Sequence, residues 1–98
     1  WARESMSNYI WLLDLTDALH NEWHYRYNHP PEKLHKSWEI AHNLPFPELE
    51  DKGLTPFAQA MPDKYKNDDP VKAYRDYYMG EKRHLASWKN SNQPYWWK

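Results

Sequence analysis

Proline placement constrains this chain more than any other feature, because the chain holds eight prolines and proline is tolerated only at the first turn of a helix. Pro30 ends a first helical segment and Pro45 ends a second, since the residue before a proline disfavours helix. Pro70 follows a capping carboxylate and begins a third. The pattern predicts an all-α fold with helices over residues 5–27, 31–43 and 70–89 and no sheet.

Apolar side chains in these segments recur at intervals of three and four residues, which places them on one face of each helix. Ser5 or Ser7 is expected to cap the first helix. Gly80 interrupts the third stripe and marks a kink or a close packing point. The stripes comprise Leu12, Leu15, Leu19, Trp23 and Tyr27, then Leu34, Trp38 and Ala41, then Val71, Tyr74, Tyr78, Leu85 and Trp88.

The connection over residues 44–69 holds four prolines and Gly53, so we expect a long irregular segment. One short helical turn is expected after Thr55-Pro56. The aromatic tail over residues 94–97 is expected to fold back or to meet a partner.

Composition indicates one domain over residues 1–98 with an aromatic core. Leu, Ile, Val and Phe number only 14 of 98 residues, but 7 Trp and 8 Tyr add apolar area, and the net charge is −1. The residues expected to be buried together are Leu12, Leu15, Leu19, Trp23, Trp38, Tyr74, Tyr78 and Trp88.

Several function classes are disfavoured by what the chain lacks. No run of 18 apolar residues occurs, so no membrane span is expected, and a cytoplasmic setting is predicted. Without cysteine there is no disulfide framework or thiolate metal site. The two glycines cannot form a phosphate-binding loop, and no nucleophile–base pair or cofactor motif can be identified.

His20 and His24 are four residues apart on the first helix, a spacing that can place two imidazoles on one metal ion. No third ligand is indicated, and Glu22 is not adjacent to His20 as the zinc-protease motif requires. The interpretation is therefore two half-exposed histidines beside the apolar stripe, with no metal. The same holds for His35 and His42 on the second helix.

Arg75, Lys82 and Lys89 are spaced seven residues apart and would form one basic line along an unbroken third helix, close to Tyr77. Basic side chains interleaved with aromatic rings suit a phosphate backbone and stacked bases. Arg3 and Lys36 are expected to extend this surface. The alternative is an ordinary solvated face whose charges are offset by nearby acids such as Asp76 and Glu81.

Several motifs distributed along the whole chain are distinctive enough to compare with known families. They are Trp1-Ala2-Arg3-Glu4-Ser5, Asn8-Tyr9-Ile10-Trp11-Leu12, Arg26-Tyr27, His35-Lys36, Leu54-Thr55-Pro56-Phe57, Ala60-Met61-Pro62-Asp63, the run Ala73-Tyr74-Arg75-Asp76-Tyr77-Tyr78-Met79-Gly80-Glu81-Lys82, and Trp88-Lys89 with Pro94 and Trp96. Together they resemble a family of uncharacterised phage and bacterial proteins, the run over residues 73–82 being the most specific. That family is distantly similar to the pyrimidine-dimer DNA glycosylases, which are small all-helical enzymes.

The resemblance implies a helical domain tied to viral DNA metabolism, and it also shows departures. Family members carry an N-terminal half that ends in an Asn-His-Pro motif before the segment matched by Trp1, and the dimer glycosylases attack with a first-residue amine that has no counterpart here. Ser91 stands where relatives tend to carry Arg. We therefore expect the C-terminal part of a longer protein, not catalytic as 98 residues.

Three functions remain open at this point. The first is DNA association through Arg3, Lys36, Arg75, Tyr77, Lys82 and Lys89. The second is a non-catalytic protein-interaction domain, and the third is an enzyme that acts on nucleotides or DNA through residues outside this chain. In the second case the first helix, around Tyr9, Trp11 and Leu13, would contact the missing N-terminal segment or a protein partner.

Overall fold

A computed structural model describes residues 1–98 and contains three α-helices and no strand, which confirms the predicted all-α fold. The chain forms two compact units, a first unit of Trp1–Pro56 and a second unit of Phe57–Lys98. The prediction of one domain over residues 1–98 stays a prediction. No helix combines the length and apolar character needed to cross a bilayer. The helices are α1 (Met6–Tyr27) and α2 (Lys36–Asn43) in the first unit, and α3 (Pro70–Glu81) with 3-10 turns at Asp63–Tyr65 and Arg83–Leu85 in the second.

The start of α1 is held by a segment far along the sequence. Ser5 is the N-cap residue, but its side chain makes no capping hydrogen bond. The Asp51 carboxylate accepts from the Ser7 backbone N–H at 3.3 Å and from the Ser7 hydroxyl at 2.7 Å, and the Glu50 carbonyl accepts from the Met6 N–H at 3.1 Å. These acceptors satisfy N–H groups that have no partner within the helix.

Asn8 forms the polar centre of the first unit. Its side chain is completely buried and donates to the Trp1 carbonyl and the Thr55 hydroxyl, both at 2.8 Å. It also accepts from the Thr55 backbone N–H at 3.0 Å. A single amide therefore ties three parts of the unit together through hydrogen bonds that water cannot replace.

The second helix is shorter than predicted. It begins at Lys36 and not at Pro31, because the chain makes a turn at Pro30, whose carbonyl accepts from the Lys33 N–H at 3.0 Å. His35 then caps α2, with its Nδ1 accepting from the Ser37 N–H at 3.1 Å. The imidazole takes the place of the usual capping hydroxyl or carboxylate.

The third helix begins as predicted and ends early. The Asp69 carboxylate accepts from the Val71 N–H at 3.0 Å and from the Lys72 N–H at 3.4 Å. The helix ends at Glu81 and not at residue 89, since Lys82 leaves helical geometry and a 3-10 turn follows. The predicted helix over 70–89 is therefore wrong over residues 82–89.

The short turn expected after Thr55-Pro56 lies instead at Asp63–Tyr65. Tyr65 from this turn packs against the backbone of α3 at Gly80, where an added Cβ would lie 2.8 Å from the ring Cζ. Of the two interpretations of Gly80, kink or close packing point, this geometry supports close packing.

The expected aromatic core is not present. Ala73 is the one buried apolar residue, while Ser5 and Asn8 are the buried polar ones. The predicted core residues divide between the two units: in the first, Trp23 and Trp38 stack on His20, and in the second, Tyr78 and Trp88 pack edge-on against Trp97. Leu12, Leu15, Leu19 and Tyr74 are exposed, and Trp23, Trp38, Tyr78 and Trp88 are only half-buried.

Candidate nucleic-acid interface

Charge is distributed unevenly along the chain. Residues 57–98 hold eight Lys and Arg against five Asp and Glu, a net charge of +3, whereas residues 1–56 hold five against nine, a net charge of −4. The near-neutral total therefore conceals a basic second unit. Positive potential concentrated on one part of a protein attracts polyanions even where the net charge is small.

Arg75 forms the centre of a basic and aromatic cluster in the second unit. Its guanidinium carbon lies 5.0 Å from the centre of the Trp96 ring and 5.6 Å from that of the Tyr95 ring, and Nη1 donates to the Tyr95 hydroxyl at 3.5 Å. The aromatic tail thus folds back onto α3. Guanidinium groups stack on aromatic faces in this way through cation–π attraction.

Two further cations repeat the arrangement. Lys82 Nζ lies 5.7 Å from the centre of the Tyr77 ring, and the Arg83 guanidinium carbon lies 4.6 Å from that of Trp97. Arg83 also donates to the backbone carbonyl of Lys98. We call the seven side chains of these contacts the basic-aromatic cluster; they are Arg75, Tyr77, Lys82, Arg83, Tyr95, Trp96 and Trp97.

The acids expected to neutralise the predicted basic line have other partners. Asp76 pairs with Lys72 at 2.7 Å. Glu81 pairs with Lys64 at 3.3 Å and accepts from the Tyr65 hydroxyl at 3.1 Å. These two contacts, the hydroxyl first, lower the pKa of Glu81 and keep it ionised.

Lys89 does not extend a helical line. It lies beyond the end of α3, at a turn with a positive φ of 45°, next to a hydrogen bond from the Ser91 N–H to the Trp88 carbonyl at 2.8 Å. The prediction of one basic line through Arg75, Lys82 and Lys89 is wrong in this respect, because it required an unbroken helix.

Arg3 and Lys36 belong to the first unit. Arg3 lies in the turn before α1, Lys36 is the first residue of α2, and both are exposed. The unit to which both belong carries a net charge of −4.

A cavity of about 570 Å³ adjoins the basic-aromatic cluster. The helix supplies Lys72, Arg75 and Met79, and the tail supplies Tyr95 and Trp96. Asp69 and Asp76 also line it, but Asp69 accepts from two backbone N–H groups and Asp76 is paired. Its volume is within the range that small-molecule sites occupy, and charged side chains form much of its lining.

Sequence reasoning found Arg75, Tyr77 and Lys82 and missed Arg83, Tyr95, Trp96 and Trp97. The missed residues become part of the cluster only because the tail returns to α3. The one signal that could have indicated them is the density of aromatic residues after Pro94.

The histidines of the first unit form a separate cluster between α1 and α2. The His20 ring stacks on Trp38, with centroids 4.7 Å apart, and on Trp23 at 5.7 Å. His20 Nε2 accepts from the His35 N–H at 3.1 Å, so this nitrogen is occupied. Burial, and then the charges of His24 and His35, lower the pKa of His20 and favour its neutral form.

Asp17 links the same two helices. Its carboxylate accepts from the Trp38 indole N–H at 2.8 Å and lies 2.7 Å from His42 Nε2. These hydrogen bonds, the indole first, lower the pKa of Asp17. The histidines therefore act with indoles and a carboxylate in packing α2, and no group of three or more His, Asp or Glu is arranged to hold a metal ion.

Comparison with known proteins gave no match: no protein-family profile matches the chain, no curated protein matches its sequence and no solved structure matches its fold. The resemblance to the glycosylase-like phage family therefore stays a prediction, and the chemistry of the site is the basis for assigning a function.

Proposed function

We propose that this chain is a nucleic-acid-associated helical domain of phage type and that its second unit contacts the nucleic acid. The observation that carries the proposal is the set of cation–π contacts that Arg75, Lys82 and Arg83 make with aromatic rings within a unit of net charge +3. The proposal places the protein in the cytoplasm of a host cell, where it would meet DNA.

The chemistry of the cluster suits a polynucleotide. Cations bind phosphates irrespective of sequence, and aromatic faces stack on bases, so a surface that carries both suits a nucleic-acid strand. Because Asp76 and Glu81 are paired with Lys72 and Lys64, they compete less for Arg75 and Lys82. Three phosphate contacts imply a log–log salt slope of about −2 to −3.

A second candidate function is protein interaction through α1. Several large apolar side chains of this helix are exposed, and an exposed apolar patch commonly marks an interface. This patch differs from the one expected around Tyr9, Trp11 and Leu13, because Trp11 is exposed but Tyr9 and Leu13 are half-buried. The exposed residues are Ile10, Trp11, Leu12, Leu15 and Leu19.

The test is a titration of labelled DNA with wild type and with the Arg75→Ala/Lys82→Ala double variant, at low and at physiological salt. Wild type should bind at low salt and weaken as salt rises. The double variant should bind more weakly with a shallower salt slope, because two phosphate contacts are lost.

The matched control is Lys33→Ala/Lys52→Ala, which removes two cations from the first unit and should bind as wild type does. Helical circular dichroism checks that each variant folds. If wild type does not bind, or if the two double variants behave alike, the interaction through α1 becomes the better proposal.

A further inference from the structure

We propose that the basic-aromatic cluster binds unpaired nucleotides in preference to duplex, with Tyr95 as the stacking platform for one base. This inference rests on the proposed function, since it names the class of nucleic acid that the same surface takes. It depends on two properties of the aromatic tail, the exposure of Tyr95 and its support by Arg75.

Tyr95 is the most exposed of the large apolar and aromatic side chains. It is 89% exposed, whereas Tyr74 is 42% exposed and Val71 53%. An exposed aromatic ring leaves apolar area in contact with water, and stacking a base on it removes that area.

Arg75 holds this exposed ring in place. Its guanidinium lies 5.6 Å from the centre of the Tyr95 ring and donates to the hydroxyl at 3.5 Å. The same group lies 5.0 Å from the centre of the Trp96 ring. A ring that is ordered before binding loses less conformational entropy when a base stacks on it.

The geometry favours unpaired bases because the faces of paired bases are already covered by their neighbours in the duplex. A single strand can turn a base onto Tyr95, and its adjoining phosphate would then lie near the cations of the cluster. Proteins that bind single strands combine such stacking platforms with cationic grooves. The cavity beside Met79 and Trp96 provides space next to the platform.

The experiment compares a short labelled oligothymidylate with a duplex of equal length, at low salt, using the full chain. Wild type should bind the single strand more tightly than the duplex. Tyr95→Ala should weaken single-strand binding by about 5- to 150-fold, the range that loss of one base stack produces. Its effect on duplex binding should be small.

Two variants control for other roles of the side chain. Tyr95→Phe keeps the ring and loses the hydroxyl that accepts from Arg75, and it should bind the single strand nearly as wild type does. Tyr25→Ala removes a tyrosine of the first unit that is 57% exposed and should have no effect.

The possible failures are distinguishable. If the duplex binds as tightly as the single strand, the preference for unpaired nucleotides is overturned. If Tyr95→Ala leaves single-strand binding unchanged, the role of Tyr95 as the platform is overturned. Nucleic-acid association stands in both cases. If wild type binds neither probe, the proposed function itself is overturned. Because Tyr95 is so exposed, Tyr95→Ala should fold normally, which helical circular dichroism verifies.

Discussion

The guanidinium carbon of Arg75 lies 5.0 Å from the centre of the Trp96 ring, which joins the middle of α3 to the aromatic tail. The two residues are far apart in sequence, and their contact converts a run of tail aromatics into part of a folded surface. It is an interaction of shape as well as charge, because a planar guanidinium stacks where an ammonium cannot.

Arg75→Lys separates these two contributions. The substitution keeps the charge, so the slope of log affinity against log salt should match wild type, but it loses the planar support of Tyr95 and Trp96, so affinity for a single strand should fall. Arg75→Ala should lower both the affinity and, by about one, the slope. Equal affinities of Arg75→Lys and wild type in the same titration would show that stacking by Arg75 is irrelevant.

The stability that the contact between α1 and α2 gives the folded state should depend on pH. The pKa of His20 is lowered below its usual value of 6.5, chiefly by burial. The group facing it with opposite charge is Asp17, and those that disfavour its protonation are His24, His35 and His42. A histidine whose pKa is lower in the folded state than in the unfolded state stabilises the fold at pH values above its unfolded pKa. This stabilisation is lost as the pH falls from 6.5 toward the folded pKa.

Urea unfolding followed by tryptophan fluorescence at mildly alkaline and mildly acidic pH measures this dependence. Protonation at His20 Nε2 would also remove the acceptor for the His35 N–H. His20→Gln retains an acceptor and does not titrate, so its stability should change less between the two pH values. An identical pH dependence in both proteins would assign the effect to another group.

Much of the helical framework could be predicted because its signals are local. Asp69 and Pro70 specify the start of α3 within two residues, and the structure places it there. The end of α3 could not be predicted, since it follows from the 3-10 turn at Arg83–Leu85 and not from a proline. The heptad spacing of Lys82 and Lys89 was therefore misleading.

The parts that could not be predicted depend on contacts distant in sequence. Periodicity favours apolar residues as the centre of the first unit, yet its buried side chains are Ser5 and Asn8. Asn8 reaches Thr55, 47 residues away, and no helical pattern indicates that contact. In the candidate site, Arg75 could be predicted from its spacing to other basic residues and to Tyr77 in the sequence. Tyr95 and Trp96 could not, because they join the site only where the tail folds back onto α3.

Replacing Asn8 should destabilise the protein more than replacing an apolar residue of the same helix. Asn8→Ala leaves the Thr55 N–H without its acceptor and removes one of the two donors to the Trp1 carbonyl, which keeps the Glu4 N–H. A buried group left unsatisfied costs about 1–3 kcal/mol. Leu19→Ala, at a side chain 59% exposed, should cost no more than about 0.5 kcal/mol. Chemical denaturation compares them, and the reverse order would mean that the first unit has an apolar core after all.

The effect of Gly80→Ala on the free energy of unfolding should change sign with the residue at position 65. In wild type the new methyl group would meet the Tyr65 ring, displace it and disturb its hydrogen bond to Glu81, so the substitution should destabilise. In a Tyr65→Ala background that obstacle is absent, and alanine should stabilise the helix by up to about 1 kcal/mol relative to glycine. A double-mutant cycle by thermal denaturation measures the coupling, and additive effects would contradict the packing of Tyr65 on α3.

The seven tryptophans make it possible to locate nucleic-acid binding in one spectrum. Four of them, Trp1, Trp11, Trp23 and Trp38, lie in the first unit, and Trp88, Trp96 and Trp97 lie in the second. In a nitrogen–proton correlation spectrum each indole N–H gives its own signal. Titration with the oligothymidylate at low salt should shift the Trp96 and Trp97 signals and leave those of Trp23 and Trp38 in place. Shifts confined to the first-unit indoles, or no shifts at all, would contradict binding by the second unit.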